Sequence, residues 1–149
     1  MSEVAPSPVV QQIRTKFPNA VLGEAVAVDT PTVSLTPESV LPVARYLKQD
    51  LGYAHPVLAT AVDWKDRVEV VWHVGNLQTN QLLAFKTSLG VEDPRVASVT
   101  PVWAGMDWHE REAYDLMGVI FEGHPDLRRI LLPDDWEGHP LRKDYTAID

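Results

Sequence analysis

The sequence predicts an α+β domain: a small mixed or antiparallel sheet with two helices packed on it, followed by a short helix and an extended C-terminal docking segment. Three observations predict it. Alternation of apolar and polar residues recurs between positions 21 and 88, helical spacing is confined to three short windows, and neither period persists beyond residue 122. Residues 1–100 read as the α+β core, and residues 101–149 as a helix and tail belonging to the same structural unit.

Taken in order, Ser7 and Pro8 suit an N-cap and a first helical position. Val9, Val10, Ile13 and Phe17 keep helical spacing until Pro18, so the first helix is expected over 8–17. Residues 21–29 and 32–35 alternate around Asp-Thr-Pro as two strands joined by a short turn. Thr36-Pro37-Glu38 opens a second helix, whose face carries Val40, Ala44, Leu47 and Leu51; Pro42 places its effective start near Ser39, because a proline deeper inside would remove a backbone hydrogen bond. Residues 57–64 and 67–74 form a hairpin across Lys65-Asp66, and 81–88 adds a third antiparallel strand. Residues 90–101 are a loop or irregular strand.

The next helix is expected over 108–117, with Asp107 as N-cap, Glu110 reaching back in a capping box, and Gly118 in the left-handed position that ends it. Ala113, Leu116 and Met117 share one face. Glu110, Arg111, Glu112 and Asp115 are assigned to the opposite, polar half, with Arg111 and Asp115 as an i,i+4 pair. After the apolar run 119–121, the tetrapeptide Glu-Gly-His-Pro occurs at 122–125 and again at 137–140. Each copy is followed by basic residues, Arg128 and Arg129 after the first, Arg142 and Lys143 after the second. A segment of this length without regular structure is uncommon in a compact domain, which favours a docking role.

Composition narrows the chemistry. The 149 residues contain no cysteine, so they supply neither disulfides nor thiolates for an iron–sulfur cluster. The net charge is −8, and residues 107–149 carry five basic against eleven acidic side chains, which disfavours nucleic acid and anionic lipid. No apolar run approaches the roughly 18 residues that span a bilayer, so the chain is expected to be cytosolic or peripheral.

Catalytic motifs fare poorly. Glu110 and Glu112 are a carboxylate pair, but residues two apart on a helix diverge by about 200° and do not converge on one bond. His109-Glu110 begins a zinc-protease helix motif that fails at Ala113, where the second histidine belongs. Glu122, His124, Glu137 and His139 are a candidate metal set if the two turns meet; otherwise each Gly-His-Pro is a rigid turn whose imidazole bonds backbone or a partner. The five Trp offer a stacking platform, although Trp64 and Trp72 fall on expected strands, where packing is their ordinary role. No phosphate loop or nucleophile elbow is present.

Three stretches together, Glu-Arg-Glu-x-Tyr-Asp-Leu-Met-Gly from 110, Phe-x-Gly-His-Pro-Asp-Leu-Arg-Arg-Ile-Leu from 121 and Asp-Trp-x-Gly-His-Pro-Leu-Arg-Lys-Asp-Tyr from 135, resemble the 30 kDa subunit of respiratory complex I. The resemblance covers the last third of the chain almost residue for residue, and more loosely the part from Arg45 onward, including Leu-x-x-x-Val-Asp-Trp at 58–64. It implies a peripheral-arm subunit of the proton-translocating NADH:quinone oxidoreductase, on the cytoplasmic side of the membrane and without cofactor of its own. FMN, iron–sulfur clusters and quinone would belong to partner subunits. It further implies docking on the 49 kDa-type quinone-site subunit and its cluster-bearing neighbours through Glu110, Arg111, Glu112, Asp115, His124, Arg128, Arg129, His139, Arg142, Lys143 and Asp144. The same signature is similar to subunits of related membrane hydrogenases and photosynthetic-type complexes, which leaves the electron donor open. The rival reading from the residues is a free-standing metal-binding domain built on the two repeated turns.

Overall fold

The computed structural model describes residues 7–27 and 30–143. In chain order they form α1 (Pro8–Lys16), β1 (Val21–Ala27), β2 (Thr30–Leu35), α2 (Val40–Gln49), β3 (His55–Asp63), β4 (Val68–Asn76), β5 (Gln81–Leu89), β6 (Arg95–Ala97), α3 (Asp107–Met117) and β7 (Ile120–Glu122). Short 3-10 turns at Pro37–Ser39 and Ala104–Met106 lead into α2 and α3.

Five strands make one mixed sheet in the order β1-β2-β5-β4-β3. The β1–β2 hairpin is antiparallel, and β3, β4 and β5 form an antiparallel meander that starts at the far edge and walks inward. It ends with β5 lying parallel to β2. The α+β class and the mixed sheet are as expected. Strand ends differ by one or two residues from the expected 57–64, 67–74 and 81–88, and the expected strand 21–29 is described as far as Ala27, with positions 28 and 29 outside the described residues.

Alternation explains the core. Val68, Val70, Trp72 and Val74 of β4 and Leu83, Phe85, Thr87 and Leu89 of β5 point the same way and are buried. Trp72 stacks on Phe85 with ring centroids 5.2 Å apart, and Phe121 meets Trp72 edge-on. Helix α1 buries Val9, Val10 and Ile13, and α2 buries Val40, Val43, Ala44 and Leu47. Pro42 falls in the first turn of α2, where a backbone N–H has no partner within the helix, so it costs no hydrogen bond. Phe17, expected as the last residue of the first helix, is instead its C-cap.

Residues 90–101 hold one element the alternation did not separate. The three residues of β6 pair in parallel with β7, tying the loop before α3 to the chain just after it. From Gly123 to Lys143 the described chain contains turns and bends but neither helix nor strand.

Candidate functional site

The tail and α3 form one interlocked unit, and its organising problem is the C-terminal end of α3. The last carbonyls of a helix have no partner within it. Here Gly118, at φ 77°, bonds back to the Tyr114 carbonyl. The Asp115 carbonyl accepts from Arg129 Nη1 (2.9 Å) and His139 Nδ1 (3.0 Å), the Leu116 carbonyl from the Leu141 N–H (2.9 Å), and the Met117 carbonyl from Arg142 Nη1 (3.2 Å). The tail is therefore the cap of the helix, and Gly118 lies directly under the His139 ring, where a Cβ would come within 2.8 Å of Cδ2.

Asp115 is the hinge of this arrangement. Its fully buried carboxylate receives Arg129 Nη1 at 2.7 Å on Oδ1, and the N–H groups of Ile130, Leu131 and Leu132 at 3.2, 2.7 and 2.9 Å on Oδ2. Burial pushes its pKa up, but the guanidinium and the three backbone donors outweigh that, and the net displacement is downward. Arg129 continues to the Trp136 and Gly138 carbonyls at 2.9 and 2.7 Å, folding 136–138 back against 129. Arg111 does not pair with Asp115 as the i,i+4 spacing suggested. It lies over the Trp108 ring and donates to the carbonyls of Arg128 and Arg129, because Arg129 already occupies the carboxylate.

The far end of the tail is latched to the sheet. Arg142 donates to Asp63 Oδ2 (3.1 Å) and the Val91 carbonyl (2.6 Å), while the Lys143 N–H donates to Asp63 Oδ2 (2.8 Å) and the Lys65 N–H to Oδ1 (2.8 Å). The Lys143 N–H leads the interactions that hold the Asp63 carboxyl below its ordinary range.

Glu110 corrects two expectations. Asp107 is already helical and forms no side-chain cap, since a 3-10 turn ending at the buried Met106 precedes α3. Glu110 does not turn back to close a capping box, nor does it lie on an outer polar face. At about 100° per residue it shares the stripe of Ala113 and Met117, and its charge, not its angle, assigned it elsewhere. Fully buried, it accepts from Ser98 Oγ (2.6 Å), the Val99 N–H (3.0 Å) and Trp72 Nε1 (3.3 Å). Burial raises its pKa, only partly opposed by those donors.

The two repeated turns do not converge. Both glycines are left-handed, Gly123 at φ 83° and Gly138 at φ 85°, but the imidazoles reach opposite ends of α3. His124 Nδ1 accepts the Asp126 N–H (3.0 Å), which assigns the ring proton to Nε2, facing Asp107 through its carboxylate Oδ1 at 3.0 Å and its carbonyl at 3.3 Å. His139 goes to Asp115 instead. Among the described residues no group of three or more His, Asp or Glu gathers as a metal set. Trp72 is a core residue; Trp64 sits half-exposed in the β3–β4 turn under the Arg67 guanidinium.

Of the remaining expected site residues, Glu112 and Lys143 are exposed, Arg128 is exposed and pairs with Asp126 at 2.9 Å, and Asp144 lies outside the described residues. Residues the sequence did not assign to the site include Asp63 and Ser98. Asp63 carried a signal: alternation puts it on the inward side with Ala59 and Ala61, where an acid needs partners.

A sheet-supported helix whose end is capped by its own irregular tail defines a structural module of the α+β class. The sequence family described as respiratory-chain NADH dehydrogenase, 30 kDa subunit, matches residues 33–149, and the chain belongs to it. The match begins earlier than the Arg45 from which the resemblance was followed. The subunit designated C in the NADH-quinone oxidoreductase of Roseiflexus sp. (strain RS-1) is 40% identical over 141 residues, covering 91% of this chain and 81% of the relative. Among solved structures, a trypsin-resistant fragment (1–134) of Nqo5 aligns with a TM-score of 0.67 at 26% identity, over 80% of this chain and 96% of the fragment. A chain of the membrane-bound sulfane sulfur reductase, an archaeal respiratory membrane complex, aligns with a TM-score of 0.78 at 26% identity, over 93% of this chain and 84% of that one. Among the described residues no helix is long and apolar enough to cross a membrane.

Proposed function

We propose that this chain is a cofactor-free subunit of the peripheral arm of the NADH:quinone oxidoreductase, on the cytoplasmic side of the membrane, and that it docks on the 49 kDa-type quinone-site subunit through the α3–tail unit. FMN, iron–sulfur clusters and quinone belong to its partners. The carrying observation is the side-chain scaffold that gives residues 123–143 one shape without regular secondary structure. Ordering so long a segment is costly in conformational entropy, and a surface held in one shape lowers the cost of association. In this reading Glu110, Asp115, Arg129, His139 and Arg142 shape the docking surface from within, and exposed neighbours such as Glu112 meet the partner. The contribution to electron transfer is positional, through an obligate interface on the order of 2,000 Å².

A second reading, the same scaffold role in a membrane complex with a different electron donor and acceptor, is favoured by the resemblance to the archaeal sulfane sulfur reductase. Affinity recovery of the tagged chain from gently solubilised native membranes separates the two. Flavoprotein and cluster-bearing subunits with NADH:quinone activity are expected. Recovery of a complex lacking NADH oxidation supports the second reading, and a chain recovered alone defeats both.

A further inference from the structure

We infer that the outer surface of the α3–tail unit is a docking face for a protein surface that presents lysine and arginine around an apolar groove, an inference that rests on the scaffold reading above. It reverses the polarity that the two basic pairs suggest in the sequence. The structure turns the cations inward: the side chains of Arg129 and Arg142 are 9% and 11% exposed and are held by carboxylates and carbonyls of this same chain. Arg111 is likewise engaged on tail carbonyls, and exposed Arg128 has Asp126 beside it. Lys143 alone of the two basic pairs stands outward with no carboxylate beside its side chain among the described residues; the rest of the outward surface is acidic and apolar. Glu112, Asp134, Asp135 and Glu137 are exposed, and so are Trp108 at 63%, Leu131 at 61% and Trp136 at 41%.

These groups belong to one side of the unit. Trp108, Arg111, Glu112 and Asp115 fall within about 100° of arc on α3. The tail runs along that arc, because Arg111 holds the carbonyls of 128 and 129 and Asp115 holds the N–H groups of 130–132. Arg129 then draws 136–138 back alongside. Large exposed tryptophans on a fixed backbone are the side chains that carry interface energy, and an acidic surround selects a cationic partner. The same charge argues against an anionic lipid surface, and against a second copy of a chain whose net charge is −8.

The test compares variants of the full chain as bait on native membranes, scoring recovered oxidoreductase subunits by mass spectrometry. Asp134→Lys with Asp135→Lys is expected to lower recovery about tenfold, and Trp136→Ala by a similar factor. Glu38→Lys with Asp50→Lys, the same charge change placed around α2, is expected to stay within about twofold of the parent, the size of effect left when only long-range, salt-screened charge has changed. Melting of each purified variant checks folding, and Asp134→Asn with Asp135→Asn, expected to be intermediate, replaces the lysine pair if that pair melts early. Tail variants that assemble like the parent overturn the inference, as does loss matched by the α2 control, or a parent dimer that the lysine pair abolishes. A parent chain that recovers no such subunits overturns the scaffold reading itself, which separates the two failures.

Discussion

Glu110 and Asp115 are both fully buried on α3, yet their surroundings are opposite. Glu110 lies in the first turn, where the helix dipole favours an anion, and its partners are three neutral donors from the sheet and the preceding loop. Asp115 lies in the last turn, where the dipole disfavours an anion, and it is met by a guanidinium and three tail N–H groups. One carboxylate fastens the helix to the core and is displaced toward its neutral form; the other fastens the tail to the helix and is held charged. The contrast teaches that burial alone does not set the role of an acid. Whether a guanidinium is hydrogen-bonded to it does.

The largest expected effect breaks the Asp115 side of the comparison. Asp115→Ala leaves the mostly buried Arg129 without its carboxylate and three N–H groups without an acceptor, at a cost of about 3–5 kcal/mol. For a chain of this length that corresponds to a fall in Tm of roughly 10 °C or more. Urea unfolding measures the loss, and limited proteolysis locates it: cleavage is expected first between 123 and 143. Equal early cleavage within β3–β5 would show that Asp115 supports the whole core and not the tail in particular. The sign with pH follows from the depressed pKa. The stability that Asp115 contributes is fully present above the ordinary Asp value and is lost as pH falls below it toward the folded value.

A smaller effect sharpens the same end of the helix. Gly118→Ala forces a Cβ into a left-handed residue, at about 1–2 kcal/mol, and drives it against the His139 ring. In a His139→Ala background the steric part disappears and the backbone part remains, so the double mutant is expected to lose less than the sum of the singles. Strict additivity would show that the ring does not rest on Gly118.

How much of this was legible in the sequence depends on how local each feature is. The β3–β4–β5 meander was readable because the inward Val, Trp and Leu positions alternate within single strands, and Gly118 because one residue type satisfies one backbone conformation. The parallel β2–β5 pairing and the three-residue β6–β7 ladder join segments remote in sequence and leave no periodic trace. The unit of α3 and tail was legible as a motif, through its resemblance to a known subunit family, but its internal wiring was not. Arg129 and Arg142 read as outward cations because charge is the default marker of surface, and only the fold reveals Asp115 and Asp63 waiting beneath them. Glu110 was misplaced for the same reason, although its helical angle put it beside Ala113 and Met117.

The smallest effect tests that last residue and the Glu110 side of the comparison. Glu110→Gln keeps the shape: its carbonyl oxygen accepts the Val99 and Trp72 N–H groups, and its amide donates to the Ser98 hydroxyl. With no guanidinium to abandon, the substitution is expected to change stability by less than about 1.5 kcal/mol below the ordinary Glu range, where the parent side chain is neutral, the net worth of an ordinary hydrogen bond. Its pH course is the diagnostic. Because the folded pKa of Glu110 lies above its unfolded value, ionising it costs nothing below the ordinary Glu range and progressively destabilises the parent as pH rises through that range toward the folded value. The glutamine carries no such penalty, so the variant is expected to gain on the parent with rising pH, the reverse of what Asp115→Asn shows over the acid range. Urea titrations of both variants at intervals from about pH 3 to 8 follow the two slopes, spanning the ordinary carboxylate values. Parallel curves for parent and Glu110→Gln would mean that Glu110 is as well compensated as Asp115, and that the two ends of α3 are fastened by the same chemistry after all.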